Sequence, residues 1–139
     1  MTTLAGIRRI LGAVLLFGMS GTLVELLLLG HDEDSTQLIP LFLLGLGLAA
    51  VVWRAWSRSE ASTLAVRGLM VLFLMAGLLG VYYHYRANVE FQRETDPSIA
   101  GRALLTAVLH AKVPPAFAPG IMVQLGLIGL AYTYRYKEN

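Results

Sequence analysis

Four apolar runs, each almost free of charged residues, restrict the fold of this 139-residue chain more than any other feature. A helix needs roughly 20 mostly apolar residues to cross about 30 Å of hydrocarbon. The runs approach that length and predict spans at about residues 10–29, 38–54, 66–84 and 116–135. Because the runs occupy more than half of the sequence, we expect residues 1–139 to form a single membrane domain.

The composition excludes an ordinary water-soluble domain. Hydrophobic residues make up 56% of the chain, charged residues 14%, and the mean hydropathy is +0.63. Soluble domains carry a larger share of charged side chains. The sequence contains no cysteine, which excludes disulfides, thiolate metal sites and redox-active cysteine pairs.

The first apolar run also resembles a secretory signal peptide in part. Arg8 and Arg9 precede it, and the small residues Gly18, Ser20 and Gly21 follow within it. However, the apolar stretch continues for several residues past them, and no clear A-x-A cleavage site is present. The pattern therefore favours a retained membrane span over a cleaved signal.

The distribution of basic residues predicts the orientation. Short connections on the cytoplasmic side of a membrane protein are enriched in lysine and arginine. One side of the predicted topology collects most of the basic residues, namely Arg8, Arg9, Arg54, Arg58, Arg67, Arg135 and Lys137. We therefore expect a multi-pass protein of the cell (inner) membrane with both termini cytoplasmic. The isoelectric point of about 9.2 then reflects topology and anionic headgroups, and we expect no nucleic-acid partner.

The second outer connection contains a short amphipathic segment. Asp96, followed by proline, is typical of a helix start, which predicts an interfacial helix over about residues 97–112. Arg102, Thr106 and His110 follow one another at four-residue spacing and form a polar stripe. The predicted fold is therefore all-α: an integral membrane four-helix bundle of up-down-up-down topology, with a short amphipathic helix in the second outer loop.

Pairs of glycines at three-residue spacing predict the faces through which the helices pack. Small residues let helix backbones approach closely in lipid, where the hydrophobic effect does not drive association. The predicted packing residues are Gly18, Gly21, Gly77, Gly80, Gly126 and Gly129. We expect these faces to support self-association or contact with another membrane protein, in addition to the lipid bilayer itself.

A weak internal repeat relates the two halves of the chain. Residues 18–25 and 77–84 share two glycines followed by an ionisable group, while residues 44–54 and 125–135 share an LGL motif, an alanine and an aromatic-arginine pair. A duplication would produce a parallel repeat of two helix pairs. Chance similarity between Leu/Gly/Ala-rich segments explains the same pattern, so both interpretations stay open.

The run GHDEDSTQLIP at residues 30–40 raises the question of a cation site. It is predicted to be an outer connection, and a solvated turn explains its composition. Combined with residues elsewhere, it predicts a metal site formed by His31, His84, His110 and Glu25, because imidazoles and carboxylates suit zinc or a related ion. A Glu25–His84 pair is a further hypothesis, since both residues are predicted to lie at similar heights in the outer leaflet.

Sequence motifs of common enzymes are absent. The chain contains no phosphate-binding glycine loop, no HExxH and no GxSxG. We therefore expect no enzymatic activity and no cofactor, and predict a noncatalytic subunit or partner protein of a membrane assembly. The alternatives are a small oligomeric cation- or proton-linked transporter with an outer-face His/carboxylate site, and an unrecognised intramembrane enzyme.

Overall fold

The computed structural model describes residues 3–30, 35–111 and 117–134, and these residues form five α-helices and no β-strand. The helices are α1 (Thr3–Leu28), α2 (Ser35–Ser57), α3 (Glu60–Thr95), α4 (Gly101–Leu109) and α5 (Phe117–Tyr132). The prediction of an all-α fold is thus confirmed for the described residues.

Three helices are long and apolar enough to cross a membrane, judged by length and composition. These are α1, α2 and α3, with 26, 23 and 36 residues. The fourth apolar run forms α5, which is a shorter apolar helix of 16 residues. All three long helices extend beyond the predicted spans. Pro40 lies inside α2 rather than in its first turn.

A tight connection joins α2 to α3. Arg58, directly after α2, has a φ of +48°, and its N–H donates to the carbonyl of Arg54 at 3.2 Å. Glycine or asparagine usually occupies such a left-handed position, which costs other residues roughly 1–2 kcal/mol. Ser59 then caps α3 by accepting a hydrogen bond from the N–H of Ser62. The turn therefore reverses the chain over very few residues.

Asp96 ends α3 and does not begin the amphipathic helix, in contrast to the sequence prediction. Its carboxylate accepts hydrogen bonds from the backbone N–H and the hydroxyl of Ser98, at 2.9 and 2.6 Å. These bonds lower the pKa of Asp96. The carboxylate bonds forward to Ser98, and α4 starts only at Gly101, whose φ is +57°. The amphipathic helix is accordingly shorter than the predicted 97–112.

Helix α4 packs on α3 through one apolar edge. Leu104 and Val108 are buried, and α3 is the helix that α4 contacts. The predicted polar stripe of Arg102, Thr106 and His110 is exposed. Helix α4 is therefore amphipathic, as predicted, with its polar stripe exposed. Its location at a membrane interface stays a prediction.

Helix α5 lies between α3 and α1 and runs antiparallel to both. Along α3, Gly80 lies next to Pro119, and Met70 lies next to Gly126 and Gly129. Along α1, the contacts progress from Leu125 beside Gly18 to Tyr132 beside Gly12. Helix α2 packs against α1 and α3, so that the four helices contact one another in the cyclic order α1, α2, α3, α5.

The centre of this arrangement is apolar. Its largest fully buried side chains include Phe73, Leu15, Met19, Leu44 and Met70. Gly47 provides room for the Phe73 ring, since a Cβ atom at this glycine would lie 2.9 Å from Phe73 Cζ. The core therefore depends on large side chains of one helix facing small residues of another.

The outward surfaces of the long helices are apolar as well. Large hydrophobic side chains are exposed along each of them, for example Phe17 on α1 (83%), Phe42 on α2 (68%) and Leu78 on α3 (60%). So many exposed large hydrophobic side chains along three long helices are unusual for a soluble monomer and are typical of contact with lipid or another protein.

Candidate functional site

The predicted metal ligands are distributed over separate helices. Glu25 is exposed near the end of α1, and His84 is partly buried on α3. His110 follows α4, where its Nδ1 lies 2.9 Å from the carbonyl oxygen of Thr106. His31 lies outside the described residues.

Within residues 3–30, 35–111 and 117–134, no group of three or more His, Asp or Glu side chains is arranged to hold a metal ion. Glu25, His84 and His110 therefore do not form such a group among themselves. Helix α1 packs against α2 and α5 rather than along α3, which carries His84. The four-residue site, which includes His31, stays a prediction.

Five of the six predicted packing glycines lie where another helix approaches closely. A Cβ atom at Gly77 would lie 2.9 Å from the backbone oxygen of Pro119, and one at Gly126 would lie 2.8 Å from that of Met70. Gly18, Gly80 and Gly129 also face side chains of a neighbouring helix at short range. Gly21 is different, because it is exposed with no atom within 4 Å of its Cβ position.

Two arginines hold the carboxyl end of α5. The guanidinium of Arg67 on α3 donates to the carbonyl of Thr133 at 2.6 Å, and that of Arg8 on α1 donates to the carbonyl of Tyr134 at 3.0 Å. The last carbonyls of a helix lack partners within the helix and carry its negative dipole end. Arginine is therefore well suited to this position, and the two contacts tie α1, α3 and α5 together.

A cleft of about 400 Å³ opens at the same end of the helices. From α1, Arg8, Arg9 and Gly12 line it, because positions separated by three or four residues share a helix face. Arg54 of α2 and Arg58, which directly follows α2, also line it. The pairing of α1 with α2 therefore brings four arginines from distant parts of the sequence to the lining of one cleft.

The walls beneath these arginines are apolar. Leu16 and Val51 form the aliphatic part of the lining, and the ring of Tyr132 closes the cleft from α5. The small residues Ala5 and Ala55 leave space between the helices. Among the described lining residues there is no Asp or Glu. The cleft thus combines a cationic rim with an apolar floor.

Arg54 is the most enclosed of the four arginines, with 3% of its surface exposed. Burying a charged group is unfavourable unless it has compensating interactions, so arginine is seldom found so deep in a protein. Arg58, by contrast, is exposed at the mouth of the cleft in its left-handed conformation. The cleft therefore has one arginine fixed within its wall and another at its rim.

Guanidinium groups around a concave surface bind anions, and they bind carboxylates and phosphates in particular with paired hydrogen bonds. In the sequence, these arginines predict the orientation of the chain and do not by themselves indicate a binding site. The four-residue spacing of Arg54 and Arg58 was the available signal, together with the Arg8–Arg9 pair at the matching end of the preceding helix. The contact between α1 and α2 was needed to join the two pairs.

The carboxyl-terminal part of α3 carries a second kind of charge pattern. Arg86 and Glu90 form an exposed ion pair at 3.0 Å across one helical turn. Hydrogen bonds with Tyr82 and Glu90 raise the pKa of Arg86. Both side chains are exposed, so the pair belongs to the solvated surface of the helix. Exposed pairs of this type contribute little stability.

Comparison with known proteins finds no protein-family model that matches the chain, no curated protein that is significantly similar to it and no solved structure with a significant match.

Proposed function

We propose that the chain is an integral protein of the cell inner membrane that acts as a noncatalytic subunit or partner of a membrane assembly. In this proposal α1, α2, α3 and α5 cross the bilayer as an up-down-up-down four-helix bundle with both termini cytoplasmic. Self-association or association with another membrane protein would complete the assembly.

The observation that carries the proposal is an apolar exterior surrounding an apolar interior. The long helices bury residues such as Met19 and Phe73 inside while exposing residues such as Phe17 and Phe42 outside. In water the exposed set would favour aggregation, whereas in a bilayer it contacts hydrocarbon at no such penalty. Three helices of sufficient length and hydropathy support the same environment.

The assignment of α5 as the fourth span depends on its neighbours. Its 16 residues rise about 24 Å, somewhat less than the roughly 30 Å of a hydrocarbon core. It nevertheless packs along α3 over the stretch from Arg67 to Gly80 and along α1 over the stretch from Arg8 to Gly18. A helix enclosed in this way between two spans would lie at the same depth in the membrane.

The polar groups of the interior favour a noncatalytic role over a transport path. The buried hydroxyls of Thr22, Ser62, Thr63 and Thr133 donate to carbonyl oxygens of residues three or four positions earlier, within their own helices or at the cap. Such bonds satisfy the hydroxyls locally. Apart from Arg54 in the wall of the cleft, the centre between the helices is filled, in the described residues, with mainly aliphatic, methionine and phenylalanine side chains. Ion movement through a monomer would need a continuous polar route instead.

The membrane topology can be tested with reporter fusions. We expect reporters of the outer compartment to be active after residue 34 and near residue 95, because the short connections and termini rich in basic residues lie on the opposite side in the proposal. Cytoplasmic reporters should be active at both termini and near residue 60. A C-terminus on the outer side would contradict the orientation, and release of the chain from vesicles by alkaline carbonate would contradict its insertion.

The noncatalytic role can be tested on purified protein in two preparations. After gentle extraction, native mass spectrometry should show the 15.1 kDa chain in complexes with further copies or another membrane protein. In proteoliposomes the isolated chain should produce no cation or proton flux above that of empty vesicles. A flux that disappears in Glu25→Gln would overturn this proposal in favour of the transporter, and a strictly monomeric chain in the native membrane extract would overturn the assembly role.

A further inference from the structure

We propose that the cleft lined by Arg8, Arg9, Arg54 and Arg58 binds a phosphate group, and that the geometry favours the phosphate of an anionic phospholipid as its source. The lipid source rests on the proposed membrane placement, whereas phosphate recognition by the cleft does not. The ligand class is therefore a phosphate mono- or diester with net negative charge.

The charge at the cleft is the first argument. Four arginines line a space of about 400 Å³, which lies within the range of small-molecule pockets of roughly 300–1,000 Å³. Arg8 and Arg9 belong to α1, Arg54 belongs to α2, and Arg58 directly follows α2. Arginine presents a planar fork of N–H donors that matches two phosphate oxygens at once. A phosphate held between α1 and α2 would also reduce the mutual repulsion of these cations.

The apolar floor of the cleft is the second argument, because it favours an amphiphilic ligand over a simple anion. Leu16 and Val51 line the cleft below the arginines, and neither can donate a hydrogen bond to a phosphate. A phospholipid presents its phosphate directly beside glycerol and acyl methylene groups. The lipid phosphate would therefore lie beside the arginines, and the glycerol and acyl groups would lie against the apolar floor.

The backbone conformation of Arg58 is the third argument. With a φ of +48° this residue occupies a conformation in which glycine would relieve the steric conflict of a Cβ atom. The turn between α2 and α3 would thus be served better by glycine than by arginine. An arginine at this position places a cation at the rim of the cleft at the expense of local stability, which is common where strain is tied to a binding site.

The location of the cleft is the fourth argument. Trp53, Trp56 and Tyr134 are exposed at the same end of the helices, where aromatic side chains mark the membrane interface. In the proposed orientation this end faces the cytoplasm, and basic pockets between helices on that side bind anionic headgroups. The cleft therefore lies at the depth where lipid phosphates occur.

The test uses the full chain purified in a neutral detergent. The probes are phosphatidylglycerol, phosphatidylcholine with the same acyl chains, and inorganic phosphate. We expect phosphatidylglycerol to raise the melting temperature and to remain bound in native mass spectrometry, because its phosphate charge is not compensated by choline. Phosphatidylcholine should do so markedly less.

Three single substitutions separate the cleft from general charge effects. Arg58→Gly and Arg9→Gln should each weaken phosphatidylglycerol binding about fivefold, as expected for the loss of one basic residue near a lipid headgroup. Arg102→Gln removes an exposed charge from α4 and should leave binding unchanged. Without lipid, Arg58→Gly should melt at or above the wild-type temperature, which excludes misfolding as the cause of weaker binding.

The outcomes distinguish the two sources of phosphate. Stabilisation by inorganic phosphate at millimolar concentration that is lost in Arg58→Gly, without preference for phosphatidylglycerol, would support the phosphate site and assign it to a soluble ligand. That result would stand even if the chain failed to insert into membranes. The proposal is overturned if the wild type binds neither phosphatidylglycerol nor inorganic phosphate. It is also overturned if Arg9→Gln, Arg58→Gly and Arg102→Gln all bind these two probes equally well.

Discussion

Alanine in place of Gly77 or Gly126 is expected to destabilise the protein by about 1–3 kcal/mol, through overpacking at the contact between α3 and α5. The new Cβ at Gly77 would lie 2.9 Å from two backbone atoms, the oxygen of Pro119 and the nitrogen of Val123. At Gly126 it would lie 2.8 Å from the backbone oxygen of Met70. Backbone atoms cannot rotate away as a side chain does, so the two helices would have to separate.

Each of these glycines has a matched control in its own helix. Gly68 on α3 and Gly120 on α5 have no atom within 4 Å of the Cβ position. Gly68→Ala and Gly120→Ala should therefore be neutral or stabilising by up to about 1 kcal/mol, because alanine has the higher helix propensity. Equal losses of unfolding free energy in all four variants, measured in the same detergent, would contradict the packing role.

Gly21→Leu extends the same comparison to contacts between chains. Gly21 is exposed on α1, so a larger side chain there has room within the monomer. If the chain associates through this glycine, as the sequence analysis predicts, leucine should lower association without lowering the melting temperature. Gly77→Ala should instead lower the melting temperature, because Gly77 lies at a contact within the monomer.

Removal of the Phe73 ring is expected to have the second large effect. Phe73 is fully buried between α2 and α3, with its ring against Gly47. Phe73→Ala should reduce the unfolding free energy by about 3 kcal/mol, which is at the lower end of values for buried aromatic residues. The lower end is appropriate because the unfolded protein in a membrane keeps the Phe73 ring in an apolar environment. The cost of Phe73→Ala then comes mainly from the cavity and the lost packing contacts.

Phe42→Ala is the control for this substitution. Phe42 is a phenylalanine on α2 with 68% of its surface exposed, so its replacement leaves no cavity. We expect its effect on thermal unfolding to be a small fraction of that of Phe73→Ala. A comparable loss in both variants would show that Phe42 is covered by another chain, and would contradict the assignment of this surface to lipid.

Helix number and type were predictable from the sequence because apolar runs of this length have few alternatives. Helices α1 and α2 include nearly all of the predicted spans but begin before them, and five of the six glycines chosen for packing lie at close approaches. The end of α3 was not predictable in the same way. After Tyr83 the apolar pattern stops, but the helix continues to Thr95, and α4, the next helix in the chain, packs on α3.

The arginine cleft illustrates why sites are harder to predict than spans. Hydropathy along one segment is a local property, whereas the cleft requires the pairing and rotation of α1 relative to α2. Arg54 would be expected at an exposed helix end from its position alone, yet it is almost fully buried. The left-handed φ of Arg58 could not be predicted from the sequence either, because arginine seldom adopts this conformation.

The uninterrupted length of α3 has a mechanical consequence in the proposed membrane. From Gly80, which lies next to Pro119 of α5, the helix continues to Thr95, and this part of α3 is about 22 Å long. Helix α4 packs on α3 and follows it in the chain, so α3 acts as an arm that carries α4. Spanning helices adjust their tilt to bilayer thickness. A change in tilt of about 10° would displace the far end of this arm by roughly 4 Å, so the position of α4 would follow the thickness of the membrane around the bundle.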